Sequence, residues 1–326
     1  MTLFRIVMAA TLTSAWLLGS ASAQQEYPTR TITIVVPYAV GGPIDTVTRF
    51  IADHLGDQLH QQVIVQNYSG AGGTVGTRRV VKAAPDGYTL LSHHIGLSTV
   101  RALYKSLSFD PLKDLEPIGL VGENPMAIVA RNDFPPNTLQ ELIQFIRDPQ
   151  QKITFANAGI GGADFLCDLL FEQQINAKFT DIPYAGSGRA YIDLLAGRTD
   201  VMCDPATGVS NYVKQGRLKA YAVTADKRVS MMPDVPTTTE AGLPGLKVTL
   251  WYGLYAPAHT PAPVIQRLSK ALQLVVQDKT VAEWFAKFGT ILATPEQATP
   301  TLLRQRLMEQ TNLWSPIILK SGVSIH

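Results

Sequence analysis

Charge is scarce in this chain and cysteine scarcer. Only 17% of its 326 residues are charged, and 28 basic residues nearly balance 26 acidic ones, for a formal net charge of +2. A chain so close to neutral lacks the basic footprint that holds a nucleic acid, so no nucleic-acid partner is expected. The two cysteines, Cys167 and Cys203, stand too far apart for any zinc spacing. The H-E-x-x-H metal pattern is missing, as is the G-x-x-x-x-G-K-[ST] loop of nucleoside triphosphate sites. The dinucleotide pattern G-x-G-x-x-G is missing too. Gly159-Ile160-Gly161-Gly162 supplies only its start, and in Gly70-Ala71-Gly72-Gly73 the third glycine, Gly76, falls one place late. These absences predict no metal, no nucleotide and no cofactor.

Long apolar runs are missing after the N-terminus, so no later segment is expected to cross a bilayer. At the N-terminus, Arg5 precedes a mostly apolar stretch from Ile6 to Leu18 and the small-residue site Ala21-Ser22-Ala23. That order predicts a cleaved signal peptide over residues 1–23, with a mature chain starting at Gln24, rather than a retained anchor. Thr11, Thr13 and Ser14 interrupt the run, which also falls short of the roughly 20 residues a span needs. An exported chain meets an oxidising compartment, where Cys167 and Cys203 could pair. Both also lie in apolar contexts that suit a free buried cysteine, and the sequence leaves the two readings open.

What the chain has is ample apolar material, 46% of its residues, arranged in alternating strand and helix patterns. Ile32–Val36 reads as a β-branched strand. Ile44 to Leu59 reads as a helix with Val47, Phe50, Ile51, His54 and Leu55 on one face. Strands are expected at Val63–Gln66 and Tyr88–Ser92, with a short helix at Thr74–Lys82. A second set follows: strands at Met126–Ala130, Ile153–Ala156, Thr199–Cys203 and Ala220–Thr224, and helices at Thr138–Arg147, Ala163–Gln174 and Gly188–Ala196. A Pro- and Gly-rich link from Pro233 to Gly245 leads to an apolar strand at Val248–Tyr255. C-terminal helices are expected to open at Thr260-Pro261 and Thr294-Pro295. This alternation predicts an α/β protein of two lobes, each a mostly parallel sheet flanked by helices. The expected division is residues 24–124 and 246–326 in lobe one, and 125–245 in lobe two.

Three strand-to-helix joints carry glycine: Tyr38-Ala39-Val40-Gly41-Gly42-Pro43-Ile44-Asp45, Ala158-Gly159-Ile160-Gly161-Gly162-Ala163-Asp164 and Tyr184-Ala185-Gly186-Ser187-Gly188-Arg189. A helix start leaves N–H groups without partners and carries about half a positive charge. Glycine lets that backbone approach a ligand, and a carboxylate is a natural guest. Around these joints, Asp45 and Asp164 read as acids steadying helix starts. Asp204 reads equally as a ligand contact or a cap. Ser187 reads as an N-cap, since no strong apolar strand leads into it as a hydrolase nucleophile requires. His93-His94 ends a strand, where polar residues rim a cleft more often than they catalyse. Arg189, a cation at the unfavourable end of a helix dipole, reads as surface charge or as a clamp for a second ligand carboxylate.

The residues themselves resemble a known family. The run Tyr27-Pro28 through "ITIVVPYAVGGPIDTVTRFIADHL", then "VIVQNYSGAGGTVGTRRVVKAAPDGYTLL", "ITFANAGIGGADFLCDLLF", "IPYAGSGRAYIDLLAGRTDVMCD" and "WYGLYAPAHTPAPVIQRL", is similar to the periplasmic solute receptors of tripartite tricarboxylate transporters, the Bug family. The resemblance implies a two-lobed, Venus-flytrap fold of the type II-like periplasmic-binding class. It implies a passive, monomeric receptor, not an enzyme, that delivers a small carboxylate to a membrane permease. A receptor that signals to a membrane sensor, or a secreted α/β hydrolase, would be the alternatives. It also implies ligand contacts at Tyr38, Ala39, Gly41, Gly42 and Asp45 on lobe one, with His93 bordering, and at Ala158, Gly159, Gly161, Gly162, Ser187 and Asp204 on lobe two. Asp164 and Arg189 join that set from the reading of the joints. The chain departs from the family pattern where hydroxyl residues are usual near Pro43 and Gly162, where a histidine is common at Phe165, and where proline is common at Arg189. Those departures imply an unusual ligand.

Overall fold

A computed structural model of the chain describes residues 27–184 and 186–325. The expected signal segment, residues 1–23, lies outside the described residues. No helix among the described residues is long and apolar enough to cross a membrane.

Among the described residues, ten strands form one sheet. They are β1 (Ile32–Val36), β2 (Val63–Asn67), β3 (Thr89–His94), β4 (Leu115–Arg131), β5 (Thr154–Asn157), β6 (Thr180–Pro183), β7 (Val201–Pro205), β8 (Leu218–Val223), β9 (Thr249–Pro257) and β10 (Ile291–Leu292). Their order is β2-β1-β3-β9-β4-β7-β5-β6, with β8 and β10 also paired to β4. The strands of the βαβ units are parallel: β1 with β2 and β3, and β5 with β6 and β7. Antiparallel pairs enter where the long strands β4 and β9 cross the molecule.

β4 organises the architecture. Its first part, Leu115 to Pro125, pairs with β9; its second, Met126 to Arg131, pairs with β7 and β8. One 17-residue strand therefore belongs to both halves of the sheet. Periodicity finds only its second half, because Pro117, Gly119, Gly122 and Pro125 break the pattern of the first. Thr224 pins the crossing. Its backbone N–H donates to the Met126 carbonyl at 2.9 Å, and its hydroxyl accepts from the Met126 N–H at 2.9 Å while donating to the Val248 carbonyl. A buried hydrogen bond of this kind contributes about 1 kcal/mol, and more is lost when a partner is left unpaired.

The helices follow the apolar spacing. Helix Pro43–Leu59 buries Ile44, Val47, Ile51, Leu55 and Leu59, a stripe of three- and four-residue steps. It stops at His60, whose left-handed backbone (φ 53°) directs its N–H to the Gly56 carbonyl. Helix Ala163–Ile175 is buried almost all round and so shows little amphipathy. The last long helix does not open at Thr294-Pro295, which forms only a turn. It spans Pro300–Ser321, with the Thr299 hydroxyl capping the Leu302 N–H. One apolar core runs continuously from Ile32 and Val36 through Trp251 and Tyr255 to Phe155 and Phe171. A smaller cluster, with Val129, Leu194, Met202 and Val223, packs on the other face of the β4–β7–β5 sheet.

Candidate functional site

Two of the glycine joints fold alike. After β1 and after β5 the chain makes a tight turn, with Gly41 (φ 81°) and Gly161 (φ 86°) in the left-handed region, and starts a helix two residues later. In each, an acid of the first helical turn folds back onto the joint. Asp45 accepts from the Gly41 N–H at 2.8 Å, and Asp164 accepts from the Ala158 N–H at 3.0 Å. These bonds set the loop geometry but occupy two of the amides expected to hold a ligand. Asn157 takes a third, the Gly159 N–H, at 3.2 Å, and the Gly162 N–H turns to the Gly159 carbonyl at 3.3 Å. The N–H groups of Ala39, Gly42, Ile44, Ile160, Gly161, Ala163 and Ser187 take no partner among the described residues.

Those residues meet in one cleft of about 470 Å³. Tyr38, Ala39, Gly42, Pro43, Ile44, Gly72 and His94 line one wall. Ala158 to Asp164, Gly186, Ser187 and Pro205 line the other, and Leu250 and Tyr252 of β9 complete the lining. The walls touch at one edge, where Thr99 Oγ1 lies 3.5 Å from the Gly161 carbonyl. Among the described residues, no lysine or arginine lines the cleft. Whatever negative charge enters must be met by helix starts and neutral donors.

The neutral side chains have assignable roles. His94 Nδ1 accepts from the Gly96 N–H at 2.9 Å, so its proton sits on Nε2 and that nitrogen is a donor. Burial, then the neighbouring His93, hold its imidazole well below the usual range, so it is neutral at pH 7. The Tyr38 ring stacks on it with centroids 4.3 Å apart. The Tyr252 hydroxyl accepts from Asn124 Nδ2 at 3.1 Å, which ties the cleft floor to the crossing strand β4.

The second wall is backed by a buried carboxyl network. Asp204 Oδ1 accepts from the Ser187 hydroxyl at 2.8 Å, and Oδ2 accepts from the Tyr191 hydroxyl. The Asp164 carboxyl also bonds to Asp204. Both acids are buried. Burial, then the charge of Asp204, push Asp164 well above the ordinary carboxyl range. Burial raises Asp204 as well, but its three donors oppose that shift. Burial and mutual repulsion disfavour charging both carboxyls, and the donors from Ser187 and Tyr191 favour ionisation at Asp204 over Asp164. A disulfide joins Cys167 to Cys203, one residue before Asp204, with Cα atoms 6.2 Å apart. It ties the helix carrying Asp164 to the strand carrying Asp204.

Of the expected site residues, Tyr38, Ala39, Gly42, Ala158, Gly159, Gly161, Gly162, Asp164 and Ser187 line the cleft. Gly41 and Asp45 stand behind it. Burial opposes ionisation of Asp45, but bonds from Arg49, the Gly41 N–H and Asn67 hold its carboxyl below the usual range, so it braces the joint. Asp204 also lies behind the wall. His93 is fully buried, with its side chain under the Tyr38 ring, and His94 takes the rim position. Alternation along β3 could have signalled which of the adjacent histidines faces inward. Ser187 is the first residue of its helix, and Gly186 occupies the cap. Arg189, two residues beyond Ser187, is exposed and is not among the residues that line the cleft. Tyr252, Leu250 and Pro205 were not anticipated. Leu250 and Tyr252 sit on β9, whose role at the cleft depends on how it crosses the molecule, and Pro205 ends β7, paired with Met126 of β4.

A family model described as "Tripartite tricarboxylate transporter family receptor" matches residues 47–323. A UPF0065 protein of Agrobacterium vitis, from the TAR-I ttuE-ttuC' intergenic region, is 41% identical over 315 residues, covering 97% of this chain and 91% of the relative. Among solved structures, the periplasmic binding protein BugD superposes with a TM-score of 0.80 at 41% identity, covering 91% of this chain and 99% of its own. MatC from Rhodopseudomonas palustris, with bound malate, superposes with a TM-score of 0.80 at 36% identity, covering 90% and 100%.

Proposed function

Because this chain belongs to the tripartite tricarboxylate transporter receptor family, we propose that it is a periplasmic solute-binding protein that captures a small organic carboxylate between two lobes and delivers it to the permease of such a transporter. The observation that carries this reading is the cleft itself. Helix starts from both halves of the molecule border it with N–H groups that take no partner among the described residues, and no lysine or arginine among the described residues lines it. Amides and the positive ends of helix dipoles suit a carboxylate, and they hold it without a counter-cation. His94 Nε2–H adds a neutral donor on the first wall. The malate-bound relative supports the ligand class.

Binding works by closure. The lobes are residues 24–124 with 246–326, and 125–245. They hinge where β4 passes from Pro125 to Met126 and where the link beginning at Thr224 returns to Val248, the points that Thr224 pins. A ligand that contacts both walls favours the closed arrangement by its extra contacts there. The exported, monomeric protein hands its guest over unchanged. The Ser187 hydroxyl gives its proton to a carboxylate that already has two other donors, and no imidazole bonds to it among the described residues, so nothing activates it as a nucleophile.

The test is a melting screen against mono-, di- and tricarboxylates and aromatic acids, with recovery of the bound acid by mass spectrometry. At 100 times its dissociation constant, a ligand should add about 2.7 kcal/mol of stability. Recovery of a converted product, with conversion lost in Ser187→Ala, would overturn the receptor reading in favour of a hydrolase.

A further inference from the structure

We infer that Ser187 presents oxygen lone pairs to the cleft, and that the protein therefore selects carboxylates carrying a hydroxyl or amino hydrogen-bond donor over their unsubstituted analogues. The inference rests on the carboxylate reading above and deepens it to a substituent.

An ionised carboxylate only accepts hydrogen bonds. Asp204 is 1% exposed, and its partners are the Ser187 hydroxyl, the Tyr191 hydroxyl and the Asp164 carboxyl. The Ser187 and Tyr191 hydroxyls each have one proton to give, and each gives it to Asp204. Asp164 is committed on its other side as well, where it accepts the Ala158 N–H at 3.0 Å. Ser187, which lines the cleft, is left with lone pairs and no proton for a guest. Donors and acceptors are thus sorted along this wall. The backbone N–H groups of Gly161, Ala163 and Ser187 can meet a ligand carboxylate, whereas the Ser187 side chain cannot. A ligand hydroxyl or ammonium can donate to Ser187 Oγ while the ligand carboxylate takes the amides. An unsubstituted acid would close the cleft over an unpaired oxygen, and an unpaired polar atom in a closed site is how proteins reject analogues that lack one group.

Tyr191 and Asp164 lock the arrangement. Tyr191 sits one helical turn after Ser187, so its hydroxyl reaches the same carboxylate from the same helix. For Ser187 to turn its proton toward a ligand, Asp204 would have to give up a charge-assisted bond in a buried setting.

The test is isothermal titration with matched acids: propionate and lactate, succinate and malate, succinate and aspartate, tricarballylate and citrate. In the pair of highest affinity, the substituted member should bind at least tenfold tighter. Ser187→Ala should bring the two within about twofold, chiefly by weakening the substituted acid, and Ser187→Thr, which keeps the hydroxyl, should preserve the preference. Equal or tighter binding of the unsubstituted member, or a preference that survives Ser187→Ala, would overturn the inference and leave the carboxylate reading standing. If none of these acids binds while another acid of the melting screen does, the inference falls and the carboxylate reading stands; if no acid of either set binds, both fall.

Discussion

Asp164 and Asp204 face each other in the wall of the cleft, and replacing them one at a time by asparagine should give opposite results. Asp164 is the protonated partner. An asparagine there keeps the shape, with Oδ1 accepting the Ala158 N–H and Nδ2 donating to Asp204, and it removes a carboxyl that must take up a proton on folding, so Asp164→Asn should leave the protein at least as stable as the wild type at pH 7. Asp204 is the ionised acceptor for three donors. In Asp204→Asn an NH₂ group replaces one of its oxygens and confronts at least one of those donors. Charge-assisted hydrogen bonds contribute roughly 1.5–3 kcal/mol each, so the expected cost is about 2–5 kcal/mol.

The pH dependence gives the same test a second axis. The native pKa of Asp164 is raised, so between the ordinary carboxyl value and the raised one the native state holds a proton that the unfolded state has lost. Stability then falls as pH rises, by about 1.4 kcal/mol per pH unit for each such proton. Asp168, raised by burial and by the charge of Asp181, acts in the same direction. The histidines act the other way. Burial lowers His93 to about 4 and holds His94 well down too, so as pH falls below 6.5 the unfolded state gains protons first and stability is lost. The two effects oppose each other between pH 4 and 6.5. Above about pH 7.5 both histidines are neutral in both states, and the carboxyl slope stands alone for as long as Asp164 keeps its proton. Urea unfolding at pH 6.5, 7.25 and 8 should show a shallower fall for Asp164→Asn than for the wild type. A tolerated Asp204→Asn beside a costly Asp164→Asn would place the proton on the wrong carboxyl and refute the reasoning.

Three further outcomes are expected. Replacing Cys167 and Cys203 together by serine opens a cross-link across 36 positions, and loop entropy puts the loss at about 4 kcal/mol by unfolding with and without reductant. Gly161→Ala should weaken ligand binding at least tenfold by titration while circular dichroism stays native. The position has φ 86°, and a Cβ there would lie 2.7 Å from Leu103 Cδ1 across the cleft edge. Arg189→Ala should leave affinity within about twofold for mono- and dicarboxylates alike, since Arg189 is exposed and outside the cleft lining.

The elements that obey local rules were legible in the sequence. Helix Pro43–Leu59 and strand β1 announce themselves by apolar spacing, and the glycine joints by the break between them. What escaped was non-local. The first half of β4 carries prolines and glycines that read as a link, and only its pairing with β9 makes it a strand. Tyr252 belongs to the site because β9 returns through the cleft floor. The division of labour at the joints was also hidden. A sequence shows that Gly41 and Ala158 have N–H groups near a helix start, but not that Asp45 and Asp164 claim them. Ser187 was read as a cap because serine before a helix usually is one. Its true partner, Asp204, lies 17 residues on and is brought near by the β6-to-β7 crossover. Arg189 was read as surface charge or as a carboxylate clamp because a cation in the first turn of a helix meets the unfavourable end of the dipole, and in the structure it is exposed and absent from the cleft lining.

The claim beneath all of this is that helix-start amides from both walls hold one carboxylate. A crystal structure of the protein with its tightest-binding acid from the screen tests it directly. The carboxylate oxygens should lie within about 3.2 Å, directly or through one water, of N–H groups on both the Gly42–Ile44 and the Gly161–Ala163 segments. An acid bound to one wall alone, or to an arginine or lysine outside the cleft with those amides untouched, would contradict the account.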